Sequence, residues 1–393
     1  MRNTFHLKTL TVAVAALSIT SIASAAGLDR SGQDITAFLQ DGTYAEAVYT
    51  YIDADVTGND ASGNSIGDIA ESYDSFRYGV KADINDTFSV GILYDEPFGA
   101  AADYSGSNNF VDASGEGTNV EVRTENITGI VGMKFGENKN FQVYGGPVAQ
   151  RVEADVKLRG TAYSAANGYT AHIGTDQEYG YIAGIAYSKP EIALKAALTY
   201  RSEIEHTANV AESYPAVAAL GLGTRSGDID ITTPESVNFD FQTGINPTTL
   251  VTAKARWVPW SNFSIVPSLY NDVSKLNPAY QPDGLPLVSY DEDQWQVELG
   301  LAKRLAPALA VSGTVGWDSG AGNPVTSLGP TEGYYSAGLG AKYNVTENWA
   351  VSAGGKYLWL GDADGQVPTG DTVANFENND GFVLGVKVSY QAL

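Results

Sequence analysis

The chain has 393 residues, with 23 Lys and Arg against 46 Asp and Glu, a formal charge of −23, 43 glycines, 23 tyrosines and no cysteine. Without cysteine there is no disulfide scaffold, thiolate metal site or cysteine nucleophile, and so acidic a chain lacks the clustered cations that nucleic acid requires. A mean hydropathy slightly on the polar side excludes a bundle of membrane helices, and abundant aromatic and β-branched residues argue against disorder, which leaves a secreted β-protein or an outer-membrane barrel.

Met1 to Ala25 reads as a secretory signal. Arg2 and Lys8 give a positive start, Leu10 to Ile22 is apolar, and Ala23-Ser24-Ala25 fits the small-x-small cleavage rule. Residues 26–43 then precede a region, 44–393, whose period is two rather than 3.6. In its last segment Phe382, Leu384, Val386, Val388 and Tyr390 form one face, with Gly385, Lys387 and Ser389 on the other. This alternation predicts fourteen strands near 44–55, 72–84, 87–98, 119–135, 140–160, 177–188, 192–206, 234–246, 249–264, 292–305, 308–318, 332–344, 348–361 and 379–391.

Every even strand is followed by a tight turn, such as Asn85-Asp86 or Ala306-Pro307. Every odd strand is followed by a longer polar loop: 56–71, 99–118, 161–176, 207–233, 265–291, 319–331 and 362–378. That segregation marks an up-and-down barrel crossing a bilayer, with short periplasmic turns and long outer loops. Aromatics gather at two levels, Phe88, Phe141, Trp349 and Tyr390 near the turns and Tyr94, Trp257, Trp295 and Phe382 near the loops. Rings that are half apolar and half hydrogen-bonding suit both membrane interfaces. The expected fold is an all-β, 14-stranded antiparallel transmembrane barrel in a Gram-negative outer membrane.

Several segments carry a family likeness: GVKADINDTFSVGILYDEPFG (79–99), the run Tyr200 to His206, ITTPESVNFDFQTGI (231–245), ARWVPWSNF (255–263), SLGPTEGYYSAGLGAKY (327–343), YLWLGDAD (357–364) and ANFENNDGFVLGVKVSY (374–390). Together they resemble the long-chain fatty-acid transporter (FadL) family, which includes the toluene and xylene channels. The resemblance implies a barrel of fourteen strands whose lumen is plugged by an N-terminal hatch. It also implies passive uptake of long-chain fatty acids or other hydrophobic molecules, bound at the loops and released sideways through a kink in the third strand. The chain departs from the family in its hatch. Only residues 26–43 are available, without the usual Asn-Pro-Ala motif, and Asn277-Pro278-Ala279 lies in a long loop instead.

A fatty acid needs an apolar groove for its tail and cations for its carboxylate. The loop Tyr214 to Leu222 is the most apolar stretch outside the strands, and Tyr214, Val217, Leu220 and Leu222 are its groove candidates. For the cations, the resemblance points to Arg159 at the mouth end of strand 5. Arg201 has lumen phase on strand 7, and Lys254 and Arg256 share an inward face on strand 9. Each of these either meets a ligand or pairs with a lumen acid such as Glu298. Gly91, Pro97 and Phe98 are the residues of the expected lateral gap, because Pro97 cannot donate to a ladder. The alternative is a strand that simply ends at Pro97.

Acidic doublets such as Asp53/Asp55 and Asp362/Asp364 make a solvated outer rim or hold a divalent cation beside lipopolysaccharide phosphates. No cofactor, resident metal or catalytic group is expected, since there is no His-Glu-x-x-His, Gly-x-Ser-x-Gly or P-loop. Partners are then hydrophobic small molecules and outer-membrane lipid, with the protein a monomer. A second reading is a surface binding or adhesion protein on the same scaffold, acting through its acidic loops. A third is a general polar porin.

Overall fold

The structure, a computed structural model, describes residues 27–392, so the expected signal segment 1–25 lies outside it. Fourteen antiparallel strands close into one barrel. In chain order they are β1 (Thr43–Asp55), β2 (Tyr73–Asp83), β3 (Phe88–Asp95, resuming at Gly99–Asp103), β4 (Asn119–Phe135) and β5 (Phe141–Lys157). Then come β6 (Thr170–Lys189), β7 (Leu194–Arg201 and Ile204–Ser213), β8 (Thr224–Thr233 and Ser236–Asn246), β9 (Thr249–Val258) and β10 (Gln294–Ala306). The ring ends with β11 (Leu309–Asp318), β12 (Tyr334–Asn344), β13 (Trp349–Leu360) and β14 (Asp380–Ala392). The seam runs along β1 and β14, from Thr43 opposite Ala392 to Asp55 opposite Asp380.

Alternation dictates which face meets lipid. On β14, Phe382, Leu384, Val386 and Val388 are exposed, while Val383, Lys387 and Ser389 between them are buried in the lumen. Outer-belt rings pack on one another, Tyr357 edge-on to Trp359 (5.0 Å between centroids) and Trp257 tilted against Trp295 (6.4 Å).

Two differences from the sequence expectation matter. Residues 207–233, expected as a loop, are mostly hairpin: Ile204–Ser213 pairs with Thr224–Thr233, leaving only 214–223 as the connection. The alternation is present in Ala208, Val210, Ile229 and Ile231, which are buried. Their outward neighbours Glu205, Asn209, Asp228 and Asp230 are polar because this part of the wall stands above the bilayer, so it reads as loop. Gly91 is the second case, since its ladder is intact, with Lys81 on one side and Ile130 on the other. It therefore belongs to no gap.

The lumen is filled by residues 27–42. Ile35, Ala37, Phe38 and Leu39 pack there with Leu93, Ile130, Tyr144 and Ile182. Glycines make the room. A Cβ at Gly79 would lie 2.7 Å from that of Ala37, one at Gly91 2.7 Å from the Phe38 ring, and one at Gly132 2.9 Å from the same ring. Three neighbouring strands thus share one hollow. The end of the segment is pinned where Lys81 Nζ donates to the Gln40 and Gly42 carbonyls (2.7 and 3.0 Å).

Above the bilayer the loops fold inward. Tyr104 stacks on Phe110 (4.3 Å), and Tyr169, Tyr214 and Tyr270 form a second aromatic group. The Glu212 carboxylate accepts from Tyr169 Oη (2.8 Å) and from the Leu269 and Tyr270 amides (2.8 and 2.9 Å) at the start of α1 (Ser268–Ser274). Filling the glycine hollow tests the plug. Gly91→Val is expected to displace Phe38 and raise ion conductance in planar bilayers, and Phe38→Ala on that background should partly reverse it; unchanged conductance would refute the arrangement.

Candidate functional site in the wall between strands 2 and 3

The ladder between β2 and β3 runs from Asp83 opposite Ser89 to Tyr78 opposite Tyr94 and stops there. Beyond that point Tyr73 to Arg77 have no partner on β3 and pair with β1 alone. The cause lies at Glu96-Pro97-Phe98, where β3 breaks before resuming along β4 at Gly99. The strand does not simply end at Pro97.

Backbone groups released by this break find other partners. The Pro97 carbonyl accepts from the Arg30 and Ser31 amides (2.7 and 3.3 Å), and the Gly99 amide donates to the Leu28 carbonyl (2.8 Å). Thr124 Oγ1 accepts from the Phe98 amide (2.8 Å) and donates to its carbonyl (2.7 Å). Residues 28–31 therefore take the place that β2 vacates. Further out, Asp103 N donates to the Ile69 carbonyl (2.9 Å) and closes the top of the opening.

Two hollows flank this strip. Outside is a crevice of about 610 Å³ between β2, β3 and β4, lined by Tyr73, Phe76, Glu96, Glu121, Thr124 and Arg30 among others. Inside is an apolar pocket lined by Leu28, Phe98, Val122, Ile173, Trp260 and Phe263, with only about 30 Å³ of free space. Val122 and Thr124 border both. The inner pocket has the right chemistry for a hydrocarbon, but its free space is about that of one water. It is therefore shut down around Trp260, whose ring meets Phe98 (5.5 Å) and Phe263 (5.3 Å) edge-on.

Three of the four candidate cations hold the N-terminal segment. Arg256 makes a bidentate pair with Asp29 (2.8 and 2.9 Å) and donates to Gln33 Oε1 (3.2 Å). Lys254 meets Asp34 (2.8 Å), which also faces Arg77 on β2 (3.6 Å). Arg201 reaches the Gln33 carbonyl (3.2 Å). Glu298, the acid suggested as their partner, pairs with Lys356 instead. Arg159 sits at the mouth, bound to Glu116 (2.7 Å) and to the Leu158 and Tyr169 carbonyls (2.9 Å each).

The candidate groove behaves similarly. Tyr214 is buried in the aromatic cap, Val217 and Leu222 are half-buried against it, and Leu220 alone is open, at 66% exposure. Sequence reading missed Leu28, Arg30, Trp260 and Phe263. A signal existed for two of them, since Pro-Trp-Ser-Asn-Phe (259–263) places two rings in a turn that has no folding need for them. Among the described residues, no group of three or more His, Cys, Asp or Glu could hold a metal.

Residues 35–391 match the family of outer membrane protein transport proteins described as OMPP1/FadL/TodX. The chain belongs to this family. Members transport hydrophobic compounds across the Gram-negative outer membrane, so this FadL/TodX-family protein is a transporter rather than one of a family of enzymes. The fold agrees with solved structures at low identity. A FadL homologue from Pseudomonas aeruginosa superposes with a TM-score of 0.72 at 15% identity, over 94% of this chain and 98% of that one. The Pseudomonas putida toluene transporter TodX gives 0.61 at 12%, over 91% of each chain. The Ralstonia pickettii toluene transporter TbuX gives 0.61 at 11%, over 96% of this chain and 99% of that one. No curated protein matches in sequence.

Asp34 offers a pH handle on the plug. Burial alone would raise its pKa, but Lys254 and Arg77 outweigh that and hold the carboxyl well below the usual carboxylate range. Its contribution is therefore complete above the unfolded value of about 4 and declines as pH falls below that. Asp34→Asn should lower stability by about 3 kcal/mol at pH 7, the cost of breaking a buried pair. Urea unfolding in vesicles should show this difference shrinking progressively below about pH 4.

Proposed function

We propose that this FadL/TodX-family protein takes up long-chain fatty acids or similar hydrophobic molecules passively and releases them sideways into the membrane. Residues 26–43 act as an abbreviated hatch. In this reading the outer loops around Leu220 make first contact, and the tail enters the apolar pocket beside Trp260 once the N-terminal strip shifts. Exit follows through the wall between β2 and β3. The observation that carries the reading is the ladder ending at Tyr78 and Tyr94, with apolar pocket and crevice on either side of one short strip. The β6–β7 ladder is also interrupted, between Ile182 opposite Arg201 and Ile173 opposite Val210, but there the Ser202 amide donates to the Tyr181 carbonyl and the Tyr181 amide to Ser202 Oγ, so the two strands stay bridged.

The solved relatives include toluene transporters as well as a FadL homologue, so aromatic hydrocarbons are the companion ligand class. The test uses the natural absence of cysteine. Asp74→Cys and Glu121→Cys stand on the β2 and β4 sides of the crevice. Joining them with a reducible bismaleimide should drop uptake of labelled oleate to the level of a strain lacking the protein, and reduction should restore it. Uptake that continues through the cross-linked form would overturn lateral release. Equal uptake by the deletion strain and its parent would overturn the transport of fatty acids altogether.

A further inference from the structure

One side chain in the gap has no task in holding the hatch. Arg30 is 8% exposed and lies on the inner side of the crevice. Its guanidinium carbon sits 3.9 Å above the centre of the Tyr73 ring, so it reaches from the N-terminal strip across to the end of β2. Among the described residues it makes no ion pair or side-chain hydrogen bond, and its Nε is fully enclosed without a partner. A guanidinium cannot shed its charge, so burying one without a hydrogen-bonded carboxylate is costly, even with the Tyr73 ring against it and Glu96 nearby. Burial pulls its pKa below the usual value, with Tyr73 and Glu96 opposing that shift.

The seat is nevertheless built for it. Gly99, the first residue after the strand break, leaves the space, since a Cβ there would lie 2.5 Å from the guanidinium carbon. Glu96 stands beside it, and in front Glu71, Asp74, Asp103, Glu121 and Glu125 make an acidic rim; Arg123, the other cation there, is already paired with Glu121.

We propose that Arg30 is the anion seat of the lateral gap, holding the carboxylate of an amphiphile whose tail passes outward between β2 and β3. The proposal rests on the lateral route argued above and adds the ligand's head group to it. The geometry gives the seat a direction. An acidic rim repels a carboxylate approaching from outside, so the anion reaches Arg30 from the apolar pocket behind it. The same rim weakens the hold, which favours release over retention. Tyr73, Phe76 and Tyr94 place the seat at the outer aromatic belt, the level where a fatty acid's head belongs when its tail lies in the bilayer.

The experiment compares a carboxylate with its neutral isostere. Binding of labelled oleate and labelled oleyl alcohol to the full protein in lipid nanodiscs is measured, with empty nanodiscs subtracted. The native protein should prefer oleate by about tenfold, the scale of a charge-assisted contact. Arg30→Gln should bring the two ligands within about twofold by weakening oleate alone. Arg30→Lys should keep most of the preference. Gly99→Ala leaves the cation in the chain and evicts it from its seat, so it should act like Arg30→Gln. Equal weakening of both ligands by Arg30→Gln, or none, would overturn the proposal and leave Arg30 as packing. The two readings fail separately: uptake through the cross-linked gap removes the route, whereas a preference surviving in Arg30→Gln removes only the seat.

Discussion

Everything in this wall follows from one constraint: inside a bilayer no backbone amide or carbonyl can be left without a partner. A closed ring of fourteen strands satisfies it almost everywhere, with the β1–β14 seam as regular as any other ladder. At Glu96-Pro97-Phe98 the ring defaults, because Pro97 has no N–H and the chain turns away from β2. The default is tolerable only because the carbonyl of Leu28 and the amides of Arg30 and Ser31 stand in. The N-terminal segment is thus part of the wall as well as a filling for the bore. An opening in such a barrel and a plug for it are one problem, and a single strip of backbone solves both.

The charge of the chain takes on a second meaning in the lumen. A protein with 23 cations against 46 acids places Arg77, Lys81, Arg201, Lys254, Arg256 and Lys387 on the inner face, all of them buried or nearly so. Several meet acids of the N-terminal segment, Asp29 and Asp34 above all. Buried pairs of this kind add little net stability because desolvation offsets their attraction. What they supply is position, since a displaced carboxylate would leave a buried cation alone. Apolar packing in the glycine hollow then provides the attraction, and the ion pairs fix the register.

The barrel was legible in the sequence because lipid on one side and lumen on the other enforce a strict period of two. β4 has its expected limits and β1, β2 and β10 to β14 lie within two residues of theirs, whereas β6 starts at Thr170, seven residues early, and β9 stops at Val258, six residues short. The reading weakened where lipid no longer sets the pattern. The β7–β8 hairpin continues above the bilayer with Glu205 and Asp230 facing water, and so resembled a loop. The lumen cations were correctly placed by phase, but phase cannot say which acid fills the bore, and Asp29 and Asp34 lay in a segment without periodicity. Gly91 looked like a hinge because a lone glycine in a strand suggests flexibility. Its reason is instead a phenyl ring from 53 residues earlier in the chain, a contact that local pattern cannot reveal.

Asp34 has a mechanical side. One of its oxygens, Oδ2, faces Arg77 of β2 and Lys254 of β9, and these strands stand half a turn apart in the ring. A line of charge therefore runs across the full diameter of the bore, like a spoke between opposite points of a rim. A barrel so braced is not free to flatten into an ellipse along that diameter. Lifting the N-terminal strip away from Pro97 would loosen the spoke in the same movement, so the state of the side opening and the roundness of the whole barrel are set by one lever.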